Sequence, residues 1–382
     1  MKRSASTLVA GLATLSIVSA ALSGCDGKKP PSDQGKNLPA ITVDAAEVNG
    51  AGATFPQPII MFWAEEFRNR TDGKVKVNYS GGGSSAGVTA VTQKLVAFGG
   101  SDAPLNAQQL AEAKAKGGDV VHIPIVIGAV VPAYNLPGID QPLAFSGPIL
   151  ADIFTGKIKK WNDPKLVALN PALKEKDIEI RPVFRAEGSG TSFIFTTYLS
   201  KVSPEFKKLV GASTKPNWPA GVGIAQKGND GIAGFLTKTP GTLGYIELTY
   251  ALDSKDKLSY GTILNKAGKQ VMADAPSITE AAAATLGKKQ TEEPYSLHEL
   301  TYDLTDAEGD KSYPISAMSF VIIFKTLEGD QAGGEKGKAT VAFLKWATSA
   351  EGQAMAKARN YAPLPPELQK KIEEKLATVT VK

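Results

Sequence analysis

The chain is poor in the residues that metal and disulfide chemistry need. Its 382 residues include one cysteine, Cys25, and two histidines, His122 and His298. One thiol excludes an internal disulfide, and these three side chains leave only scattered carboxylates for a metal site. The formal net charge of +5 is too small to indicate a nucleic-acid-binding protein. The glycine-rich segments also lack G-x-x-x-x-G-K-[ST], the motif of P-loop nucleotide-hydrolysing proteins.

The N-terminus carries a short apolar run and no convincing transmembrane helix. Lys2 and Arg3 precede the run, which extends from Leu8 to Leu22 and is rich in alanine. A run of this length is too short to span a membrane comfortably. Basic residues, an apolar run and then small residues predict a cleaved secretory signal peptide over residues 1–24.

The signal ends at Leu22-Ser23-Gly24-Cys25, which resembles the bacterial lipobox. That resemblance implies a cysteine that is acylated, for example with palmitate, and becomes the new N-terminus. Asp26 resembles the retention signal of inner-membrane lipoproteins in cells with two membranes. The expected location is the cell membrane, with a lipid anchor, facing the periplasm or the cell exterior. A plain signal peptide beside a chance cysteine is the alternative.

Residues 25–48 predict a flexible tether, because the stretch Lys28-Lys29-Pro30-Pro31 and its neighbours are polar and rich in proline. The remainder is an ordinary globular composition, with 42% hydrophobic and 21% charged residues. It is long enough for two domains, each with its own core.

One stretch, residues 185–193 with sequence RAEGSGTSF, organises the rest. Glycine lets the backbone turn tightly and approach a ligand, and Ser189, Thr191 or Ser192 can cap the apolar helix that follows. Free N–H groups and the helix dipole then favour an anion, which the Arg185 side chain would also attract. An ordinary glycine-serine loop is the alternative.

Two further turns resemble this one. Thr54 lies near the expected N-cap of a helix whose first turn contains Pro56, and Ser84 follows a run of glycines before another helix. Residues 95–100 predict a buried strand that delivers Asp102 at its carboxyl end, where open α/β sheets place ligand residues. Asn106 and Gln109 predict a capping box just beyond. Together with Arg185 these turns predict an oxyanion cage.

Two apolar strands are suited to passing between domains. Residues 120–131 and 320–324 are almost wholly apolar, and two crossings imply one domain from both chain ends and another from the middle. The predicted boundaries are 49–125 and 316–382 for the first lobe and 126–315 for the second. Hinge motion is expected near Pro124 and Ser316, while residues 252–312 are hard to place.

Five segments, in one order, resemble the substrate-binding proteins of bacterial phosphate-specific ABC transporters. They are Gly50-Ala51-Gly52-Ala53-Thr54-Phe55-Pro56, Gly83-Ser84-Ser85-Ala86-Gly87, Phe98-Gly99-Gly100-Ser101-Asp102-Ala103-Pro104-Leu105, Arg185 through Phe193, and Lys227-Gly228-Asn229-Asp230-Gly231-Ile232-Ala233. The resemblance runs from about Gly50 to Pro365. It implies an α/β, two-lobed periplasmic-binding-protein-like fold of type II, with two hinge-crossing strands and the ligand in the cleft between the lobes.

The resemblance also implies which residues hold phosphate, and that the protein is no enzyme and needs no cofactor. Its partners would be inorganic phosphate and the membrane subunits of an ABC permease with a separate ATPase, and the protein would be a monomer. Glu187 stands where the family more often has Asp, and would orient Arg185. The ligand residues would be Thr54, Phe55, Ser84 and Asp102 from the first lobe, and Arg185, Ser189, Gly190 and Thr191 from the second.

Asp102 carries the argument for selectivity. An ionised carboxylate only accepts hydrogen bonds, so it can face a phosphate oxygen only if that oxygen bears a proton. Sulfate at neutral pH bears none, and burying its charge against Asp102 would cost several kcal/mol. The sequence therefore predicts discrimination against sulfate, though not between phosphate and arsenate. The alternative role for Asp102 is a cap for the helix after Pro104.

The rival interpretation is enzymatic, because Gly83-Ser84-Ser85-Ala86-Gly87 matches G-x-S-x-G, with Ser85 as the nucleophile of an α/β-hydrolase. A triad then needs a histidine after the serine. His122 lies in an apolar strand, where a core histidine is expected, and His298 lies in the segment that is hard to place. A non-catalytic adhesin or sensor lipoprotein would explain the tether but not the cage.

Overall fold

A long strand, β4, organises the computed structural model, which describes residues 41–382. The predicted signal peptide, Cys25 and most of the predicted tether lie outside the described residues. The strands are β1 (Ala46–Gly52), β2 (Val75–Gly81), β3 (Phe98–Ser101), β4 (Val120–Asn135), β5 (Ala144–Phe145), β6 (Arg181–Arg185), β7 (Ile224–Gln226), β8 (Thr242–Glu247), β9 (Ser259–Tyr260), β10 (Thr262–Leu264), β11 (Gln270–Val271), β12 (Ser316–Phe324), β13 (Thr326–Leu327) and β14 (Thr380–Val381).

Helices follow most of the strands, as expected of an α/β protein. They are α1 (Gln57–Arg70), α2 (Ser84–Thr92), α3 (Ala107–Gly117), α4 (Gly147–Phe154), α5 (Pro164–Leu169), α6 (Gly190–Val202), α7 (Pro204–Leu209), α8 (Gly228–Leu236), α9 (Leu248–Asp253), α10 (Ala275–Thr285), α11 (Gly334–Ala347), α12 (Ala350–Ala358) and α13 (Pro366–Ala377). Two short 3-10 helices cover Pro171–Leu173 and Tyr295–Leu297.

The main sheet has the strand order β2-β1-β3-β12-β4-β8-β6-β7. Strand β4 pairs antiparallel with β12 as far as Ala129, and with β8 from Val130 onwards. We call β1, β2, β3, β12 and the start of β4 the first half-sheet, and β6, β7, β8 and the end of β4 the second half-sheet. Strand β12 begins at Ser316 opposite Ala129, so both predicted crossing strands meet where β4 changes its partner.

The composition of β4 explains its position between the half-sheets. Apart from its first and last residues its side chains are buried, and valine, isoleucine and alanine predominate, as expected of a strand covered on both faces. Its predicted extent, residues 120–131, was too short at the C-terminal end. Helices α6 and α13 pack apolar side chains against this sheet, including Phe195, Leu199 and Ile372.

Two predicted boundaries were wrong. The predicted tether, residues 25–48, overlaps β1 at residues 46–48, because Val48 is buried and pairs with Val77 of β2. The strand predicted from residue 95 begins at Phe98, and the Leu95 side chain is 65% exposed. Apolar side chains did not predict where this strand begins. Gly99 and Gly100 pair with β1 just as Phe98 does, so apolar character does not mark the residues of the strand.

Candidate functional site

Four strand ends bring the predicted site residues together. The parallel strands β1, β2 and β3 of the first half-sheet end just before Thr54, Ser84 and Asp102, and β6 of the second half-sheet ends at Arg185. All nine predicted ligand residues lie in these turns. Glu187 is half-buried, and the others, Thr54, Phe55, Ser84, Asp102, Arg185, Ser189, Gly190 and Thr191, are buried.

The N-termini of α2 and α6 face each other across the site. Ser84, the first residue of α2, accepts hydrogen bonds at its Oγ from the Gly190 N–H (2.9 Å) and the Asp102 N–H (3.3 Å). A Cβ on Gly190 would lie 2.6 Å from Asp102 Oδ2 and from Ser84 Oγ, so a side chain there would collide with both. Ser189 caps α6 as predicted, since its Oγ accepts from the Ser192 N–H. The site thus brings the N-termini of two helices against each other, where negative charge is favoured.

Arg185 is the cation of the site. Its Nη1 donates to Thr191 Oγ1 and its Nη2 to Thr54 Oγ1, both at 3.2 Å, so one guanidinium joins the two half-sheets. Glu187 Oε1 accepts from Arg185 Nε (2.8 Å) and Nη2, and from the Gly228 N–H (3.1 Å). Glu187 therefore contacts the arginine, which is the contact expected of the orienting role. Its Oε2 is buried and has no hydrogen-bond partner within residues 41–382.

Thr54 lies near the N-cap of its helix, as predicted, but its side chain does not cap the helix. Helix α1 starts at Gln57, and no side chain caps it. The Thr54 Oγ1 instead accepts from Asn229, through the main-chain N–H (3.1 Å) and Nδ2 (3.0 Å). Asn229 lies in the first turn of α8 and is fully buried, and its Oδ1 accepts from the Glu247 N–H. Sequence reasoning left Asn229 out of the site, although it stands in one of the five matching segments.

Three tyrosines fix the backbone beside Thr54. The hydroxyls of Tyr79, Tyr250 and Tyr361 donate to the carbonyls of residues 53, 54 and 55, at 2.9, 2.7 and 2.8 Å. The C=O and N–H of a trans peptide point in opposite directions, so these bonds also direct the N–H groups of Thr54 and Phe55. Tyr250 and Tyr361 are 196 and 306 residues from their acceptors, and no local pattern could have revealed them.

Asp102 lies at the centre of the site, and both of its oxygens are accounted for. Oδ1 accepts from Ser319 Oγ at 2.7 Å, while Oδ2 lies towards Gly190. Burial raises the pKa of Asp102 to about 7, against the opposing influence of the hydrogen bond from Ser319, the charge of Arg185 and the hydroxyl of Ser84. Asp102 does not cap the next helix, since Asn106 does so in a capping box with Gln109, as predicted.

Two more buried groups support the arginine turn. The Tyr245 hydroxyl accepts from the Arg185 N–H (3.3 Å) and shares a hydrogen bond of 2.7 Å with Ser192. Burial raises the pKa of Tyr245 to about 12 and that of Glu247 well above its usual range. Tyr245 is therefore a neutral hydrogen-bonding partner near pH 7, and burial disfavours the charged form of Glu247.

The two histidines lie against one another and not beside Ser85. Their ring centroids are 3.8 Å apart, the Leu105 N–H donates to His122 Nε2, and His298 donates to the Leu105 carbonyl. Burial lowers the pKa of both rings. Within residues 41–382 neither ring hydrogen-bonds Ser85, so the hydrolase interpretation lacks its general base.

The described residues offer hydroxyls, amides and one guanidinium to a ligand. In the same part of the chain, no group of three or more histidine, cysteine, aspartate and glutamate side chains is placed to hold a metal ion. Nor does any helix among residues 41–382 combine the length and hydropathy of a membrane span. Such a set of donors suits a small tetrahedral oxyanion.

Comparison with known proteins gives a consistent result. Residues 33–351 match the PBP superfamily domain. The phosphate-binding protein PstS of Xylella fastidiosa (strain 9a5c) is 40% identical over 330 residues, which cover 86% of this chain and 84% of that protein. The PstS proteins of Haemophilus influenzae and Methanocaldococcus jannaschii are 37% and 35% identical, over 87% and 91% of this chain and 93% and 89% of their own lengths.

Solved structures of similar fold agree. A high-affinity periplasmic phosphate-binding protein (PfluDING) with bound phosphate has a TM-score of 0.66 and 21% identity, covering 86% of this chain and 93% of that chain. A human phosphate binding apolipoprotein has a TM-score of 0.65 and 22% identity, with the same coverage. This likeness confirms the predicted α/β, two-lobed fold.

Proposed function

The chain belongs to the PstS phosphate-binding proteins of the PBP superfamily, and from that premise we propose that it binds inorganic phosphate and delivers it to an ABC permease. The proposal depends most on two buried hydrogen bonds that join the turns of the two half-sheets. Arg185, at the end of β6, donates to Thr54, and Gly190, at the start of α6, donates to Ser84. A buried anion needs a donor for every oxygen, and hydroxyls and amides provide donors without full compensating charges. The proteins of this family are binding proteins and not enzymes.

Phosphate would replace the present hydrogen bonds inside the cage. The N–H groups of Thr54, Phe55 and Gly190, and the hydroxyls of the cage, would donate hydrogen bonds to the phosphate oxygens. Arg185 would supply charge-assisted hydrogen bonds worth about 1.5–3 kcal/mol each. Its pairing with Glu187 means that the cage carries no excess positive charge before a ligand enters. The ligand residues are the nine predicted: Thr54, Phe55, Ser84, Asp102, Arg185, Glu187, Ser189, Gly190 and Thr191.

Closure of the two lobes is part of the proposal. The first lobe comprises residues 46–125, which include all of β1, with residues 316–382, and the second lobe comprises residues 126–315. Phosphate favours the closed state because it contacts both lobes at once, and a ligand shifts such an equilibrium only through differential contacts. The β4 strand, which pairs with both half-sheets, is the natural place for the hinge.

The protein would act outside the cytoplasmic membrane. We expect residues 1–24 to be removed, Cys25 to carry the lipid anchor, and the mature protein to be a monomer on a flexible tether. Labelling with radioactive palmitate tests the anchor. We expect the wild-type chain to be labelled and Cys25→Ser to be unlabelled and released from membranes, whereas equal labelling would contradict the anchor.

Equilibrium dialysis of the purified chain tests the central proposal. We expect phosphate to be retained, arsenate to compete with it, and sulfate to fail to compete at pH 8. Equal competition by sulfate would contradict the role proposed for Asp102. Esterase activity that Ser85→Ala abolishes, in a protein that retains no phosphate, would favour the hydrolase instead.

A further inference from the structure

We propose that Ser319 is a specificity-determining positioning residue, which holds Asp102 as a pure acceptor aimed at the ligand. The inference rests on the proposed phosphate function and adds a residue to it. Ser319 would not touch the ligand. It would decide, through Asp102, that the bound oxyanion must carry a proton.

The strand geometry places Ser319 opposite Asp102. In the antiparallel pairing of β3 with β12 the last pair is Ser101 with Phe320, so the next residues, Asp102 and Ser319, face each other beyond the end of the ladder. On its other side β12 pairs with β4, which carries one extra residue, Ile125, opposite the step from Ser319 to Phe320. Such bulges are common beside functional sites. Ser319 is fully buried, and its Oγ lies 2.7 Å from Asp102 Oδ1.

The hydrogen bond from Ser319 gives the two carboxylate oxygens of Asp102 different roles. Oδ1 is occupied by the Ser319 hydroxyl, and Oδ2 lies towards Gly190, at the N-terminus of α6. A helix N-terminus is where the oxyanion is expected. Ser319 therefore occupies one oxygen and leaves the other, Oδ2, beside Gly190 and the Ser84 hydroxyl, where we expect the ligand.

The same bond favours the charged form of Asp102. Ser319 must donate when it faces a carboxylate, because a carboxylate has no proton to give. Burial favours the protonated acid, while Ser319, Arg185 and Ser84 oppose it. A protonated Asp102 could donate to a bare sulfate oxygen, so loss of Ser319 would admit sulfate.

Few other charges bear on this balance. Burial raises the pKa of the surrounding tyrosines, which are therefore neutral near pH 7, and burial also raises the pKa of Glu247 well above its usual range. The Arg185–Glu187 pair supplies the remaining charges. The ionisable groups whose charges interact with Asp102 are Arg185 on β6, Glu247 at the end of β8, Tyr79 on β2, Tyr250 on α9, Tyr295 and Tyr361.

The test compares Ser319→Ala with a matched variant on the same strand. Ser316 is also fully buried on β12, but its Oγ donates to the Tyr313 carbonyl. Phosphate and sulfate dissociation constants would be measured by titration calorimetry from pH 6 to pH 8.5. For Ser319→Ala we expect the ratio of sulfate to phosphate constants to fall about tenfold or more at pH 8. We also expect sulfate binding to begin at a higher pH than in the wild type.

The controls separate positioning from folding. Ser316→Ala should keep the wild-type ratio at every pH, and Ser319→Thr, which restores a hydroxyl, should recover it. Should Ser319→Ala fail to fold, Ser319→Cys keeps the size of the side chain and offers only a weak donor, so its ratio should fall as well. A wild-type ratio and pH profile in folded Ser319→Ala or Ser319→Cys would overturn the inference. Absence of phosphate binding by the wild type would instead refute the proposed function, and this inference with it.

Discussion

The two sides of the cage use different physical means. The second half-sheet contributes Arg185, which is paired with Glu187. The guanidinium attracts an anion whether or not the anion is protonated. The first half-sheet contributes Asp102, a like charge to the ligand, which is tolerated only across a shared proton. The arginine side should therefore set affinity, and the aspartate side should set selectivity.

Loss of the arginine should have the largest effect. Arg185→Ala removes charge-assisted bonds to the ligand and leaves Glu187 without its partner, so we expect phosphate affinity to fall by about two orders of magnitude or more. Arg181, exposed on the same strand β6, is the matched control, and Arg181→Ala should bind as the wild type does. Titration calorimetry measures both. A fall of less than tenfold in Arg185→Ala would mean that other residues provide most of the affinity for phosphate.

Asp102→Asn should abolish selectivity and stabilise the fold. An amide can donate to sulfate, so the preference for phosphate over sulfate should shrink. The pKa of Asp102 is raised to about 7 in the folded protein, above its unfolded value of about 3.9. The favourable contribution of the protonated acid is therefore fully present below about pH 4 and lost as pH rises through 7. Without ligand, the asparagine variant should exceed the wild type in free energy of unfolding by roughly 4 kcal/mol at pH 8.

That stability difference has its own check. Urea unfolding at pH 8, 6 and 4 should show the advantage of Asp102→Asn declining and then vanishing as the pH falls. A difference that stays constant with pH would contradict the raised pKa of Asp102. A phosphate preference that survives the substitution would contradict its role in selectivity.

Loss of one of the tyrosine hydroxyls that hold the backbone beside Thr54 should have a smaller effect on phosphate affinity. Tyr250→Phe removes the hydroxyl that holds the Thr54 carbonyl, and with it the fixed direction of the Phe55 N–H. We expect phosphate affinity to fall about three- to tenfold, in keeping with one neutral hydrogen bond, with unchanged preference over sulfate. Tyr260→Phe, on β9, serves as the control. A changed preference for phosphate over sulfate in Tyr250→Phe would contradict the assignment of selectivity to Asp102.

The smallest effect should come from shortening the acid that pairs with arginine. Glu187→Asp keeps the charge, and with it the pairing, so we expect phosphate affinity to change by only a few-fold. Isothermal titration that showed complete loss of binding would mean that the longer reach of glutamate to Arg185 and Gly228 is essential.

Much of the cage could be predicted because its parts are local. A glycine-serine turn after a strand places hydroxyls and amides at a helix N-terminus whatever the rest of the chain does, and Ser189 capped α6 as expected. The failures were of two kinds. Thr54 has a cap-forming side chain but bonds Asn229 and Arg185 instead, and Leu95 extends no strand. Tertiary contacts overrode the capping preference of Thr54, whereas the Leu95 side chain is 65% exposed and its apolar character alone did not place it in a strand.

The sequence alone determined the turns, the order of the elements and the family, since these depend on residues close together in the chain. Tertiary structure alone decided what holds the turns in place. Tyr250, Tyr361 and Ser319 each reach a partner about two hundred residues or more away. The ionisation of Asp102 depends on burial and on its distant partners Ser319 and Arg185, and neither the burial nor these contacts exist until the chain has folded.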